Sequence, residues 1–167
     1  MSAGRLSSAD RALAKQNADL QYDRLCRDLL EFSSGALGAP ALAPPAAWYL
    51  VPQNLPPLST PLGDIAVHTH PERLPVMGVL LPPDADAACL AALGVLLSEH
   101  HAHPFFRPVF LALGYDLLPL LGRYGFAYHV VTKDAEEAAY DYLASRYRML
   151  AVRKLIGADP VWAAPQS

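Results

Sequence analysis

The sequence predicts an α/β fold: a small three-layer unit with about three parallel strands, preceded by a long N-terminal helix and a proline-rich linker. Three observations lead there. Apolar runs of buried-strand length occur at 76–81, 108–113 and 126–131, with helical segments between them. Strands that are apolar throughout are covered on both faces, and strands joined by helical crossovers run parallel. Residues 35–63 hold seven prolines and three glycines, which no long helix tolerates. A chain of 167 residues fits one core with appendages. It divides into a helix (1–34), a linker or arm (35–63), an α/β core (64–157) and a tail (158–167).

Composition narrows the function classes. Hydrophobic residues make up 53% and charged residues 17% of the chain, more apolar than an average soluble domain, which favours apolar surface covered by a partner. A net charge of −3 with a pI near 6.0 excludes a nucleic-acid or anionic-membrane binder built on bulk positive charge. Cys26 and Cys89 stand in unrelated contexts, so neither a disulfide framework nor a thiolate zinc site is expected. The longest apolar stretch, 87–97, is too short to cross a bilayer, and the start MSAGRLSSAD lacks a signal-peptide core, so the expected location is cytoplasmic. Arg outnumbers Lys ten to three, and Ala and Leu supply 56 residues, as a GC-rich, bacterial-type genome produces whatever the fold. Alanine is therefore weak evidence for helix here.

Taking the elements in order, 8–33 reads as one helix, opened by Ser7 and Asp10 at capping-box spacing and stopped by Gly35. Tyr22, Leu25, Leu29 and Phe32 form a stripe that packs on the domain. Leu6, Leu13 and Leu20 repeat every seven residues on a different face. That repeat fits a coiled-coil or docking helix meeting another subunit, and equally an ordinary surface helix, because Asp10, Gln16 and Asn17 interrupt it with polar positions. The linker's apolar island at 46–51, with Trp48 and Tyr49, can add an edge strand; it has no basic residue to orient it as an SH3 ligand.

In the core, 65–68 reads as a short strand, 76–81 as a buried strand and 85–101 as a helix started by Asp84. A strand at 108–113, a short helix at 115–124, a strand at 126–131 and a long helix at 134–156, stopped by Gly157 and Pro160, complete it. The unit resembles half of a Rossmann-type sheet. The stretch FFRPVFLALGYDLLPLLGRYGFAYHVV through YDYLASRYRMLAVRKLIG also resembles α/β segments of uncharacterised bacterial proteins associated with glycosyltransferases and surface polysaccharide. This resemblance covers about a third of the chain and carries no catalytic motif; it implies a Rossmann-like core and transfers no functional residues.

Ligands of open α/β sheets bind outside the carboxyl ends of the strands. Asp116, Thr132 and Lys133 fall at successive strand ends and are the candidates for a sugar nucleotide or phosphorylated metabolite. A dinucleotide site needs a glycine-rich first turn whose N–H groups reach phosphate, and the chain has Leu81-Pro82-Pro83-Asp84 there. Asp84-Ala85-Asp86 resembles the strand-end aspartates of haloacid-dehalogenase-like phosphatases, but the two prolines displace the pair into a helix start, where aspartate acts as a cap.

Five of the six histidines lie in two tracts, His68 with His70 and His100, His101 with His103, both expected at the amino edge of the sheet. If they converge they form a zinc site, since neutral imidazole is a common zinc ligand; otherwise they cap a helix end and line a turn. The string GDIAVHTHP resembles the His-x-His-Pro segment of JAMM-type zinc peptidases, in which both histidines bind zinc. The serine expected after it is missing and the nearest aspartate, Asp84, is displaced by an apolar strand. The leading expectation is thus a non-enzymatic assembly or accessory module that joins a protein partner, or itself, through the N-terminal helix. A metabolite-binding or glycosyltransferase-related protein and a histidine-bound zinc protein are the alternatives.

Overall fold

The computed structural model describes residues 7–33, 58–157 and 160–165. Leu6, Gly35 and most of the proline-rich segment lie outside them. Helix α1 (Ser8–Ser33) begins at the expected capping box: Asp10 N–H donates to Ser7 Oγ and Ser7 N–H to Asp10 Oδ2, both at 3.1 Å. The core then runs β1 (Val76–Leu81), α2 (Ala87–Ala102), β2 (Arg107–Ala112), α3 (Leu118–Arg123), β3 (Ala127–Val130), α4 (Glu136–Tyr147), β4 (Met149–Lys154) and β5 (Pro160–Ala163).

The five strands make one sheet in the order β3-β2-β1-β4-β5. β1, β2, β3 and β4 are parallel, and β5 pairs antiparallel with β4 at the edge. The fold is a small Rossmann-like α/β unit. Helices α1, α2 and α3 cover one face over a core that includes Leu25, Val79, Leu93 and Phe110. Helix α4 covers the other over Leu80, Val109, Leu143 and Val152. β1 and β2 are buried along nearly their whole length, as strands covered on both faces must be.

Three sequence expectations require correction. Residues 134–156 are not one helix: α4 stops at Tyr147, Arg148 turns the chain with φ +55°, and Met149–Lys154 form a fourth parallel strand on β1. Helix-forming residues there give way because β1 has an open hydrogen-bonding edge and Val152 is fully buried beside it. Residues 65–68 are not a strand; Asp64 and Ile65 form a turn, and Ile65 is a fully buried anchor. The cap of α2 is Asp86, which accepts from Cys89 N–H at 2.8 Å, rather than Asp84.

Helix α1 is fastened to this core by more than apolar contact. Leu25 is buried, and Tyr22 stacks on His101 with ring centroids 4.1 Å apart and planes 8° from parallel. Below them, Asp28 accepts from the buried Tyr124 hydroxyl and, at 3.0 Å, from Arg123 Nη1.

Candidate functional site

In this strand order β1 continues to β2 and β3 on one side, while β4 returns to its other side. The order therefore reverses between β1 and β4, and such a reversal leaves a crevice at the carboxyl ends. A cavity of about 230 Å³ lies there, walled by Leu80, Pro82 and Pro83 after β1, Leu113 after β2, and Lys154 and Ile156 after β4. Its lining residues are apolar except for Lys154. The prolines offer no N–H donors, so the turn that cradles phosphate in a dinucleotide site has no counterpart.

The next gap along the edge is nearly closed. A Cβ on Gly114 would sit 2.3 Å from the Pro83 carbonyl oxygen, so the loops after β1 and β2 are in backbone contact and only glycine fits. Asp116 lines the remaining crevice of about 10 Å³, room for no more than one water. Thr132 precedes and Lys133 opens the short 3-10 turn after β3, the edge strand. Strand order thus separates Lys133 from the β1–β4 crevice by two strands, and the cation at that crevice is Lys154. Lys154 escaped sequence reasoning because its segment carries a helical charge gradient. No period-2 pattern marks the strand: Leu150 and Val152, two residues apart, would share a face of a regular strand, yet Leu150 is exposed and Val152 buried, because the pairing with β1 shifts register at Leu150.

At the amino edge the histidines hold a loop. His100, 1% exposed, donates from Nε2 to the Leu62 carbonyl at 2.7 Å, and His101 from Nδ1 to the Ile65 carbonyl at 2.6 Å. Burial keeps His100 neutral by pushing its pKa below the usual imidazole range. The second nitrogen of His101 lies 3.2 Å from Asp19 of α1. His68 Nδ1 accepts from the His70 N–H at 3.0 Å, and the His70 ring lies 3.4 Å from Glu72. His103 caps α2 through its backbone N–H on the Glu99 carbonyl.

For the alternative of a histidine zinc site, among the described residues no three His, Cys, Asp or Glu side chains are placed to hold a metal ion. His100 Nε2 and His101 Nδ1 face the Leu62 and Ile65 carbonyls instead. Of the second metal-like pair, Asp84 and Asp86, Asp86 serves as the α2 cap.

Leu13 and Leu20, the described members of the heptad repeat, are 57% and 59% exposed. Seven residues apart, they share a face of α1 lying away from the Ala18, Tyr22 and Leu25 side that meets the core. Among the described residues, no helix is long and apolar enough to cross a membrane. No protein-family model matches the chain, and no curated protein or solved structure matches it.

Proposed function

We propose that the protein is a non-enzymatic assembly or accessory module whose N-terminal helix engages another protein or a second copy of itself. The observation that carries this reading is the division of α1 into two faces. One face is spent on docking the helix, while Leu13 and Leu20 remain over half exposed two turns apart. Burying both on a partner helix would remove apolar surface from water at about 25 cal/mol per Å². Leu6 falls at the next heptad position of the same seam. Replacing Leu13 and Leu20 by Asp is expected to dissolve the assembly and leave the α/β core folded. Light scattering with circular dichroism checks this; a monomer without partner before and after the change would defeat it.

A second reading, a metabolite-binding module, is supported by the place of the 230 Å³ cavity at the strand-order reversal. Its proline and leucine walls suit an apolar group, with Lys154 as the one charge to orient it. Nucleotides and sugar nucleotides at millimolar concentration are expected to leave the melting temperature unchanged, because binding to the native state would have to raise it. A rise would instead support the glycosyltransferase-related reading, with Lys154 at the crevice the first residue to replace.

A further inference from the structure

A cavity of about 430 Å³ lies at the amino edge, opposite the expected ligand edge. Its size falls in the range of small-molecule sites. Leu58, Val76 and Leu150 give it apolar walls, and Thr60, Arg107 and Arg148 bring polar groups to it. Glu72 stands at its rim.

Two features of this basin are costly to the fold. Thr60 is 4% exposed, and its buried hydroxyl has no hydrogen-bond partner among the described residues. Leaving such a group unpaired costs about 1–3 kcal/mol. Arg148 is the one non-glycine residue among those described with positive φ, at +55°, a conformation glycine would adopt without strain. Its side chain is exposed, with no partner among the described residues. An unpaired buried hydroxyl and a strained arginine lining one cavity are what a binding site accepts in exchange for readiness.

We propose that this basin binds a small organic carboxylate, which accepts hydrogen bonds from the Arg148 guanidinium and the Thr60 hydroxyl and lays its apolar part against Leu58, Val76 and Leu150. A monoanion is favoured over a phosphate dianion by the charges present. The Arg107 guanidinium is already engaged by the Leu74 and Glu72 carbonyls, at 3.0 and 3.3 Å, and the Glu72 carboxylate opposes a second negative charge. Arg148 supplies the planar fork that matches a carboxylate. This site is separate from the leucine seam and from the carboxyl-edge crevice.

Calorimetric titration of the full chain with benzoate and hexanoate tests the proposal, with inorganic phosphate and benzyl alcohol in parallel. One of the carboxylates should bind saturably at one site, more tightly than phosphate, and the alcohol should not saturate. Arg148→Gly should raise the melting temperature by relieving the left-handed strain, yet weaken carboxylate binding by about tenfold or more. Thr60→Val should preserve or raise the melting temperature and weaken binding several-fold. Arg148→Lys, which keeps the charge without the fork, should fall between parent and Arg148→Gly. Absence of saturable binding by both carboxylates, tighter binding of phosphate, or parental affinity in Arg148→Gly would each overturn it.

Discussion

Replacing Asp28 by Ala lowers stability by about 3 kcal/mol, the sum of a lost charge-assisted hydrogen bond and the Tyr124 hydroxyl left unpaired. Tyr124 is fully buried, so its O–H has no water to turn to. Two forces act on the Asp28 carboxyl. Its burial pushes the pKa up, and the Tyr124 hydroxyl and Arg123 guanidinium outweigh it and hold the group below the usual carboxylate range. The Arg123 side chain is 51% exposed, so its ion pair contributes little beside the tyrosine bond. Asp28→Asn, which retains an acceptor, should cost less than half as much as Asp28→Ala. The double change Asp28→Leu with Tyr124→Phe should recover part of the loss, since removing both polar partners leaves nothing unpaired. Urea-denaturation midpoints measure all three, and an Asp28→Ala midpoint equal to that of the parent would show that α1 is not held by this bond.

Acid weakens the fold by about 3 kcal/mol between pH 6.5 and pH 4, and His129 is the main cause. The ring is largely buried beside Tyr147, whose hydroxyl is hydrogen-bonded to Nε2 at 2.7 Å. Burial first, and the nearby Arg146 charge second, push its pKa down to about 4. The sign follows from which state takes the proton. In the unfolded chain the ring protonates as pH falls through about 6.5, while the folded ring resists until about 4. The contribution is therefore complete above pH 6.5, drains away toward pH 4, and is constant below. His100, shifted the same way by burial, adds to the slope. Unfolding free energies from urea titrations at pH 7, 6, 5 and 4 should decline accordingly, and His129→Gln should flatten most of the decline. Equal stability at pH 7 and pH 4.5 in the parent would contradict the buried, neutral ring.

The Asp28 and His129 bonds show where sequence reading stops. Asp28 lies 96 residues from its hydroxyl partner and His129 18 from its own, and neither sits in a pattern that distinguishes it from a surface residue. The same holds for the histidine tracts. Their placement at the amino edge follows from chain order, but the choice between metal ligand and loop anchor rests on the Leu62 and Ile65 carbonyls. The proline-walled turn after β1, by contrast, is a statement about covalent chemistry, and the structure changes nothing in it.

What the amino-acid sequence determined alone is whatever depends on neighbours along the chain. The Ser7–Asp10 cap, the docking stripe of α1, the runs that became β1, β2 and β3, and the missing phosphate donors at Pro82 and Pro83 are all local in that sense. Tertiary structure alone decided that Met149–Lys154 is a strand, that the strand order reverses beside β1, and that Thr60 and Arg148 meet at one basin. The first two share one physical reason. Helix propensities differ by tenths of a kcal/mol per residue, whereas an open edge on a buried strand leaves backbone groups unpaired at a cost of about 1–3 kcal/mol each, so the partner across the sheet outweighs the preference within the segment.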